Sequence, residues 1–190
     1  MSSMGIGDRD IESDDRPEEE GIRILRGTVR FALSQLSSRN GSFEFEEIAR
    51  LLARMTISRN ILVATGPVQA GGDQGRDAET YMTDLPGQTC LLGRELGVTD
   101  ADGVAIACTL QKTSVLNKFE HDISNVMSSG TPIHFVVAYC ESNIPIGDRH
   151  KFQTHIQSEF GVHVEIFDGE CLLDQLESEQ CEFPKLRRAS

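Results

Sequence analysis

Near the middle of the chain the sequence reads Val104-Ala105-Ile106-Ala107-Cys108-Thr109-Leu110-Gln111 and then reaches Lys112. Apolar residues occupy both alternating sets of positions, so a strand built from this segment would be buried on both faces. A second segment of the same kind, Ile133 to Tyr139, follows an amphipathic helical pattern over residues 114–128. These features predict two central strands with helices packed against both faces.

Helical and extended patterns continue on either side of these two strands. An apolar repeat at three-to-four spacing after Pro17 predicts a first helix, and Ser42 is a candidate N-cap for a second. We expect Ile48, Leu51, Leu52 and Met55 to face inward on that second helix. An extended piece at Asn60–Pro67 and a strand from Asp77 should follow. Beyond the two central strands we expect a helix at Asp148–Phe160 stopped by Gly161, a strand at Val162–Phe167 and a short helix at Glu170–Leu176. The pattern predicts an α/β fold with a mixed central β-sheet sandwiched by helices.

The charge of the chain is unevenly distributed. Of its 190 residues, the first 20 include eight acidic residues and two arginines, a net charge of −6, which is half of the −12 of the whole chain. Such a segment is typical of a disordered, solvated tail. The remaining residues are mildly acidic, which argues against tight non-specific DNA binding through a large basic face. We therefore expect an acidic tail at 1–20, one domain at 21–178 and a loose C-terminal tail at 179–190.

The cysteine pattern indicates a reducing compartment. The five cysteines are odd in number, none forms a Cys-x-x-Cys pair and two lie in apolar runs, which favours buried, reduced thiols. No apolar stretch could serve as a signal peptide or reaches membrane-spanning length. The sequence predicts a soluble, cytoplasmic protein without a membrane partner.

A glycine-rich turn leads into the strand that is predicted from Asp77. It reads Ala70-Gly71-Gly72-Asp73-Gln74-Gly75-Arg76-Asp77-Ala78-Glu79-Thr80-Tyr81. Asp77 and Glu79 are two residues apart, so on a strand their carboxylates point to the same face and could hold a hard cation. The glycines permit close approach of a phosphate backbone, and they equally permit a tight turn without a ligand. A solvated strand end is the alternative interpretation of the two acids.

Amide and basic side chains at the end of segment 104–111 are the second group of candidates. Gln111 and Lys112 are adjacent, so only one of them faces the same side as Thr109. Lys118 lies in the following helix, and its long side chain could reach back to the strand end. Ordinary surface charge is the alternative for both lysines.

Acidic residues begin the second helix. Of Glu44, Glu46 and Glu47, we expect Glu44 and Glu47 to share the side of Ile48, Leu51 and Met55, where either could border a site. The alternative is an acidic first turn that interacts favourably with the helix dipole.

Several other reaction classes lack local support in the sequence. No nucleophile elbow, Walker loop or dinucleotide-binding fingerprint occurs, and the five histidines are not spaced like a zinc site. Acyl transfer, ATP hydrolysis and Rossmann-type redox chemistry are therefore disfavoured.

With these motifs in view, the chain resembles the PD-(D/E)xK nucleases in their restriction-endonuclease-like (Mrr-like) form. It is similar to N-terminal effector domains of bacterial defence proteins. The resemblance spans about residues 42–176 and is carried by Phe45-Glu46-Glu47, Leu51-Leu52, Ala64-Thr65-Gly66-Pro67, Gly71-Gly72-Asp73, Asp77-Ala78-Glu79-Thr80, Thr109-Leu110-Gln111-Lys112, Lys118, Asp122 and Glu165-Ile166-Phe167-Asp168-Gly169.

The resemblance implies a Mg²⁺- or Mn²⁺-dependent endonuclease that hydrolyses phosphodiester bonds of double-stranded DNA. It implies catalytic roles among Asp77, Glu79, Gln111, Lys112 and Lys118. It further implies metal ligation by Asp77, Glu79 and Glu47, and DNA contacts by Gly72, Gly75 and Arg76. We further expect that the chain could form a homodimer, belong to a larger parent chain, or act with a sensor or NTPase partner.

The chain departs from the family pattern at the second motif. The position of the acid-x-lysine signature reads Thr109-Leu110-Gln111, and Lys112 comes one place late. A catalytic lysine would have to be Lys112, after a local bulge in the strand, or Lys118 from the helix. The alternative is a catalytically inactive nuclease fold that serves as a binding or recruitment module.

Overall fold

The computed structural model describes residues 16–63, 78–80, 86–130 and 132–182. The helices are α1 (Arg16–Ser38), α2 (Ser42–Thr56), α3 (Leu91–Glu95), α4 (Val115–Ser128), α5 (Ile146–Phe160) and α6 (Gly169–Glu182). The strands are β1 (Ile61–Val63), β2 (Ala78–Thr80), β3 (Val104–Thr109), β4 (Phe135–Cys140) and β5 (His163–Phe167). The predicted α/β fold with a mixed central sheet is confirmed.

The five strands form one sheet in the order β1-β2-β3-β4-β5. The pairs β1–β2 and β2–β3 are antiparallel, whereas β3, β4 and β5 run parallel. Each parallel pair is joined through a helix, α4 and then α5, because two parallel strands cannot be linked by a tight hairpin. The carboxyl ends of β3, β4 and β5 therefore meet at one edge of the sheet.

Both faces of the central strands are buried, as the sequence predicts. Every residue of β3 and of β4 is buried. Val104, Ile106 and Cys108 point to the side of α1, α2 and α6, whereas Ala105 and Ala107 point to the side of α4 and α5. The small side chains on the second face leave room for Phe119 and Ile123 of α4, which are fully buried.

The face that α2 turns to the sheet differs from the prediction. Its buried residues are Phe45, Ala49, Leu52, Ala53 and Thr56, whereas Leu51 and Met55 are exposed by 47% and 40%. Ile48 is only half-buried. The helix turns its two alanines inward because small residues allow a close approach to the strands, and the larger apolar side chains are displaced toward solvent.

Several boundaries also differ from the sequence-based expectations. Strand β3 ends at Thr109, so Gln111 and Lys112 lie beyond it. Helix α1 begins at Arg16, next to the start at Pro17 that the apolar repeat predicts, so it includes the last residues of the segment 1–20. Helix α6 continues to Glu182, within the expected tail 179–190. The expected stop at Gly161 is confirmed, since this residue ends α5 with a φ of 69° that glycine adopts without strain.

Within the described part of the chain, no helix combines the length and the apolar character needed to cross a bilayer.

Candidate functional site

A polar cavity of about 440 Å³ lies at the carboxyl end of β3. The end of α1, the turn into α2, the end of β3 and the first turn of α4 enclose it. Its polar lining residues are Ser37, Asn40, Ser42, Glu46, Thr109, Gln111 and Lys118. We call it the β3 cavity.

The chain after β3 is held in place by hydrogen bonds from three directions. The Thr109 hydroxyl accepts a hydrogen bond from the backbone N–H of Gln111 at 3.2 Å. The Ser37 hydroxyl of α1 donates to the carbonyl of Leu110, and the Ser142 hydroxyl donates to the carbonyl of Gln111. These contacts fix the backbone on which the Gln111 side chain enters the cavity.

Lys118 brings a positive charge to the β3 cavity from the first turn of α4. Ser114, with a left-handed φ of 56°, turns the chain into this helix, and its carbonyl accepts the backbone N–H of Lys118 at 3.0 Å. The Lys118 ammonium contacts both carboxylate oxygens of Asp122, at 2.5 and 2.6 Å. Asp122 is almost fully buried, so the ammonium is held against a fixed carboxylate while its side chain stays partly exposed.

Lys112 lies in a different place, although it is adjacent to Gln111. It lines a second cavity, of about 370 Å³, together with Arg30, Glu141 and Glu170. Its ammonium is 3.6 Å from Glu141 Oε1. The two neighbouring residues therefore line two separate cavities, on opposite sides of the chain as side-chain alternation predicts.

The acidic residues of α2 are also separated by the fold. Glu46 is half-buried and lines the β3 cavity. Glu47, which we expected at the site, instead accepts a hydrogen bond from Arg50 at 2.7 Å and does not line this cavity. Glu44 lies 3.6 Å from Arg39 on the exposed side. The rotation of α2 that buries Ala49 and Ala53 is what brings Glu46 to the cavity.

The glycine-rich motif lies mostly outside the described residues. Asp77, Gly72, Gly75 and Arg76 belong to this undescribed part. Glu79 is described and pairs in register with Ala105, four residues before Thr109 along β3. It is half-buried and does not line the β3 cavity.

A buried ion pair organises the same edge of the sheet after β5. Arg149 of α5 donates to Asp168 Oδ2 at 2.6 Å. Burial tends to raise the pKa of Asp168, but hydrogen bonds from the backbone N–H groups of Ile144 and Cys171 and the nearby guanidinium outweigh it, and the pKa is lowered. Asp168 thereby caps α6 and connects it to α5 and to the chain after β4.

The described cysteines are free thiols, as the sequence predicts. Cys108 and Cys140 are buried, and Cys90 and Cys171 are half-buried. Burial raises the pKa of Cys140 to about 12, so this thiol stays protonated and unreactive at neutral pH. Cys181 lies in the last turns of α6, where side chains are not described.

The side chains at the β3 cavity include oxygen atoms of the kind that bind hard cations. Glu46 offers a carboxylate and Gln111 an amide oxygen, and Mg²⁺ prefers oxygen ligands. Among the described residues there is no group of three or more histidine, cysteine, aspartate or glutamate side chains that could hold a metal. A full ligand set would therefore need a carboxylate from outside the described part, and Asp77 is the residue that the sequence offers.

Ser42, Glu46 and Asp122 are noted in the sequence, but their places at this site do not follow from it. The polar wall of Ser37, Asn40 and Ser42 comes from a turn whose position depends on how α1 packs. The role of Glu46 could have been recognised from the Phe45, Ala49, Leu52 and Ala53 repeat beside it. Asp122 is four residues after Lys118, a spacing that brings two side chains together on a helix.

No family model matches the chain, and neither do any of the curated proteins or solved structures with which it was compared.

Proposed function

We propose that this protein is a divalent-metal-dependent endonuclease that hydrolyses phosphodiester bonds of DNA. The observation that carries the proposal is the β3 cavity, where Glu46, Gln111 and Lys118 converge from three different elements. The mixed sheet sandwiched by helices is also the architecture that the resemblance to the PD-(D/E)xK nucleases implies.

The proposed roles follow from the chemistry of each group. Lys118 supplies a fixed positive charge that would stabilise the charge developing on the phosphate. Gln111 orients substrate or water through its amide. Asp77, Glu79 and Glu46 are the candidate carboxylate ligands of Mg²⁺ or Mn²⁺, with Glu46 replacing Glu47 in this role. When bound, the metal would supply an activated water and polarise the phosphate.

Strand pairing brings the start of β2 to within a few residues of the level of this cavity. Ala78, which directly follows Asp77, pairs with Ile106 on β3, three residues before Thr109. Since residues along a strand are about 3.3 Å apart, Ala78 is about 10 Å from the level of Thr109.

A catalytically inactive nuclease fold that acts as a binding or recruitment module is the second candidate. The ion pair between Lys118 and Asp122 favours it, because the ammonium is already neutralised by a carboxylate. The residue at position 111 favours it as well. The family carries a lysine at this position, whereas Gln111 has no charge and lies beyond the end of β3 at Thr109.

We place the proposed nuclease in the bacterial cytoplasm as the effector domain of a defence system. Free thiols in the described part of the chain agree with a reducing compartment. A homodimer, or a larger parent chain with a sensor or NTPase, would supply the regulation that an effector nuclease requires.

The proposal is tested by plasmid cleavage with Mg²⁺ or Mn²⁺ at low salt. Low salt is chosen because an acidic domain binds DNA weakly and loses affinity as salt rises. We expect nicking by the wild type and none by Asp77→Ala, because loss of a carboxylate ligand removes both cation affinity and the activated water.

Asp148→Ala is the matched control, because Asp148 is exposed on α5 and only pairs with Lys151 at the surface. It should leave cleavage unchanged. Equal background nicking by the wild type and Asp77→Ala would favour the binding module instead.

A further inference from the structure

Three exposed arginines lie on backbone segments that meet at the end of α2 away from the β3 cavity. Their backbones meet the segment 88–90: Arg59 N–H donates to the carbonyl of Gln88 at 2.8 Å, and Cys90 Sγ lies 3.6 Å from the carbonyl oxygen of Arg54. The Arg94 Nε–H donates to the carbonyl of Thr89 at 3.2 Å. We call Arg54, Arg59 and Arg94 the arginine cluster.

The backbone beneath the arginine cluster is firmly held. Cys90 N–H donates to the carbonyl of Ile57 at 2.8 Å, and Ser58 forms a β-bridge with Thr89. A Cβ at Gly93 would overlap the carbonyl oxygen of Ile57, so α3 packs directly on the chain after α2. The three arginine side chains therefore start from backbone segments that are fixed relative to one another.

The arginine cluster is not neutralised by the described residues. None of its three members takes part in an ion pair there, whereas arginines 23, 26, 30, 39, 50 and 149 all pair with carboxylates. Asp100 lies at the same segment, and hydrogen bonds from Gly87 N–H, Thr89 N–H and the Thr89 hydroxyl, each at 2.7 Å, keep its carboxylate ionised, so it offsets one of the three positive charges. In a chain of net charge −12, this is a local positive surface available to an anionic partner.

We infer that the arginine cluster binds the phosphate backbone of the DNA that the β3 cavity acts on. This inference rests on the proposed function. Guanidinium groups match phosphate oxygens in a bidentate geometry, which makes arginine suited to such contacts.

The distance along α2 fits a single duplex that contacts both places. Glu46 of the β3 cavity and Arg54 are eight residues apart on this helix, about 12 Å along its axis. This is about the length of three to four base pairs at 3.4 Å each. A duplex that lies along α2 would therefore bring backbone phosphates to the cluster while another part of its backbone is at the cavity.

The test is DNA binding by fluorescence anisotropy, with a labelled duplex of about 20 base pairs titrated at several salt concentrations. All variants are made in the Asp77→Ala background, so that binding is measured without cleavage. We expect Arg54→Ala/Arg59→Ala/Arg94→Ala to weaken binding at least about tenfold and to reduce the slope of log affinity against log salt by about two to three.

The control triple variant is Arg23→Ala/Arg39→Ala/Lys151→Ala, which removes the same charge from exposed sites that have carboxylate partners. It should change affinity by less than about twofold, because these charges are already compensated. The double variant Arg54→Ala/Arg59→Ala keeps the Arg94 contact with Thr89. A loss of affinity in this variant therefore cannot result from local unfolding caused by breaking that contact. For this variant the slope of log affinity against log salt should fall by about two.

Equal weakening by the cluster and control triples, or no measurable binding by the parent protein, would overturn the inference. Cleavage by the protein with an intact Asp77 is scored separately in the plasmid assay. A nuclease that cuts DNA but shows no effect of the cluster would disprove only this inference, and the proposed function would stand.

Discussion

Lys118 and Asp122 lie one helical turn apart on α4, and the lysine ammonium contacts both oxygens of the buried carboxylate. Only the lysine of the pair lines the β3 cavity. The carboxylate is 5% exposed and the lysine 38%, so the pair joins the protein interior to the cavity surface. A lysine held in this way has lost much of the rotamer freedom that an exposed lysine retains. The pair therefore holds the lysine ammonium at a defined position beside the cavity.

We expect Lys118→Ala to reduce DNA cleavage by about 100-fold or more, because a group that acts on the developing charge contributes at this scale. Lys112→Ala should retain nearly full activity, because Lys112 lies beside Glu141 in the second cavity. Single-turnover cleavage at matched protein stability measures both variants. Full activity of Lys118→Ala together with loss in Lys112→Ala would reverse the assignment.

Variants of the Lys118–Asp122 pair should recover stability without recovering DNA cleavage. Lys118→Met should destabilise the fold by about 1–2 kcal/mol, because it leaves the Asp122 carboxylate buried without its partner. The double variant Lys118→Met/Asp122→Leu should recover most of this loss, since two apolar groups replace the pair, but should not recover cleavage. Urea denaturation and the plasmid assay report the two quantities. If the double variant cleaves DNA, the lysine has only a structural role.

On α2 we expect Glu46→Gln to impair cleavage at least about tenfold, more strongly at low Mg²⁺, because it removes a carboxylate oxygen donor from the cavity. Glu47→Gln is the matched neighbour and should behave like the wild type, because Glu47 pairs with Arg50 outside the cavity. A Mg²⁺ titration of the cleavage rate compares the two. The opposite result, with Glu47→Gln impaired and Glu46→Gln unaffected, would restore the sequence-based assignment.

The Arg149–Asp168 pair predicts a pH-dependent stability. Asp168→Ala should cost about 3 kcal/mol at pH 7, because it removes a helix cap and leaves a mostly buried guanidinium without its carboxylate. The pKa of Asp168 is lowered in the folded protein. Its contribution is therefore fully present above the unfolded pKa of about 3.9 and is lost as pH falls through the lower folded pKa.

Urea midpoints of the wild type and Asp168→Ala between pH 7 and pH 3 test this dependence. The difference in urea midpoint between the wild type and Asp168→Ala should be constant above about pH 5 and should narrow only below about pH 4. The exposed pair Asp148–Lys151 provides the control, and Lys151→Ala should change stability by less than about 0.5 kcal/mol. A gap that narrows between pH 7 and pH 5 would show that another group is responsible.

The sequence by itself determined the fold class and the two central strands. Continuous apolar runs at 104–109 and 135–139 cannot be solvated on either face, so helices must cover both sides whatever the other contacts are. Gly161 likewise ends α5 by local geometry alone. Such features depend on hydrophobic periodicity and backbone freedom, and both can be read from neighbouring residues.

Only the tertiary structure decided which of two neighbouring residues reaches the site. Alternation along the chain already puts Gln111 and Lys112 on opposite sides, but the surroundings that make each side a cavity come from α1, α2 and α4 on one side and from residues 141–143 and 169–173 on the other, which are distant in sequence. Glu46 rather than Glu47 reaches the β3 cavity because one residue along a helix is a rotation of about 100°. That rotation was set by the alanines of α2 packing against the sheet, and the spacing of the acidic residues alone contains no information about it.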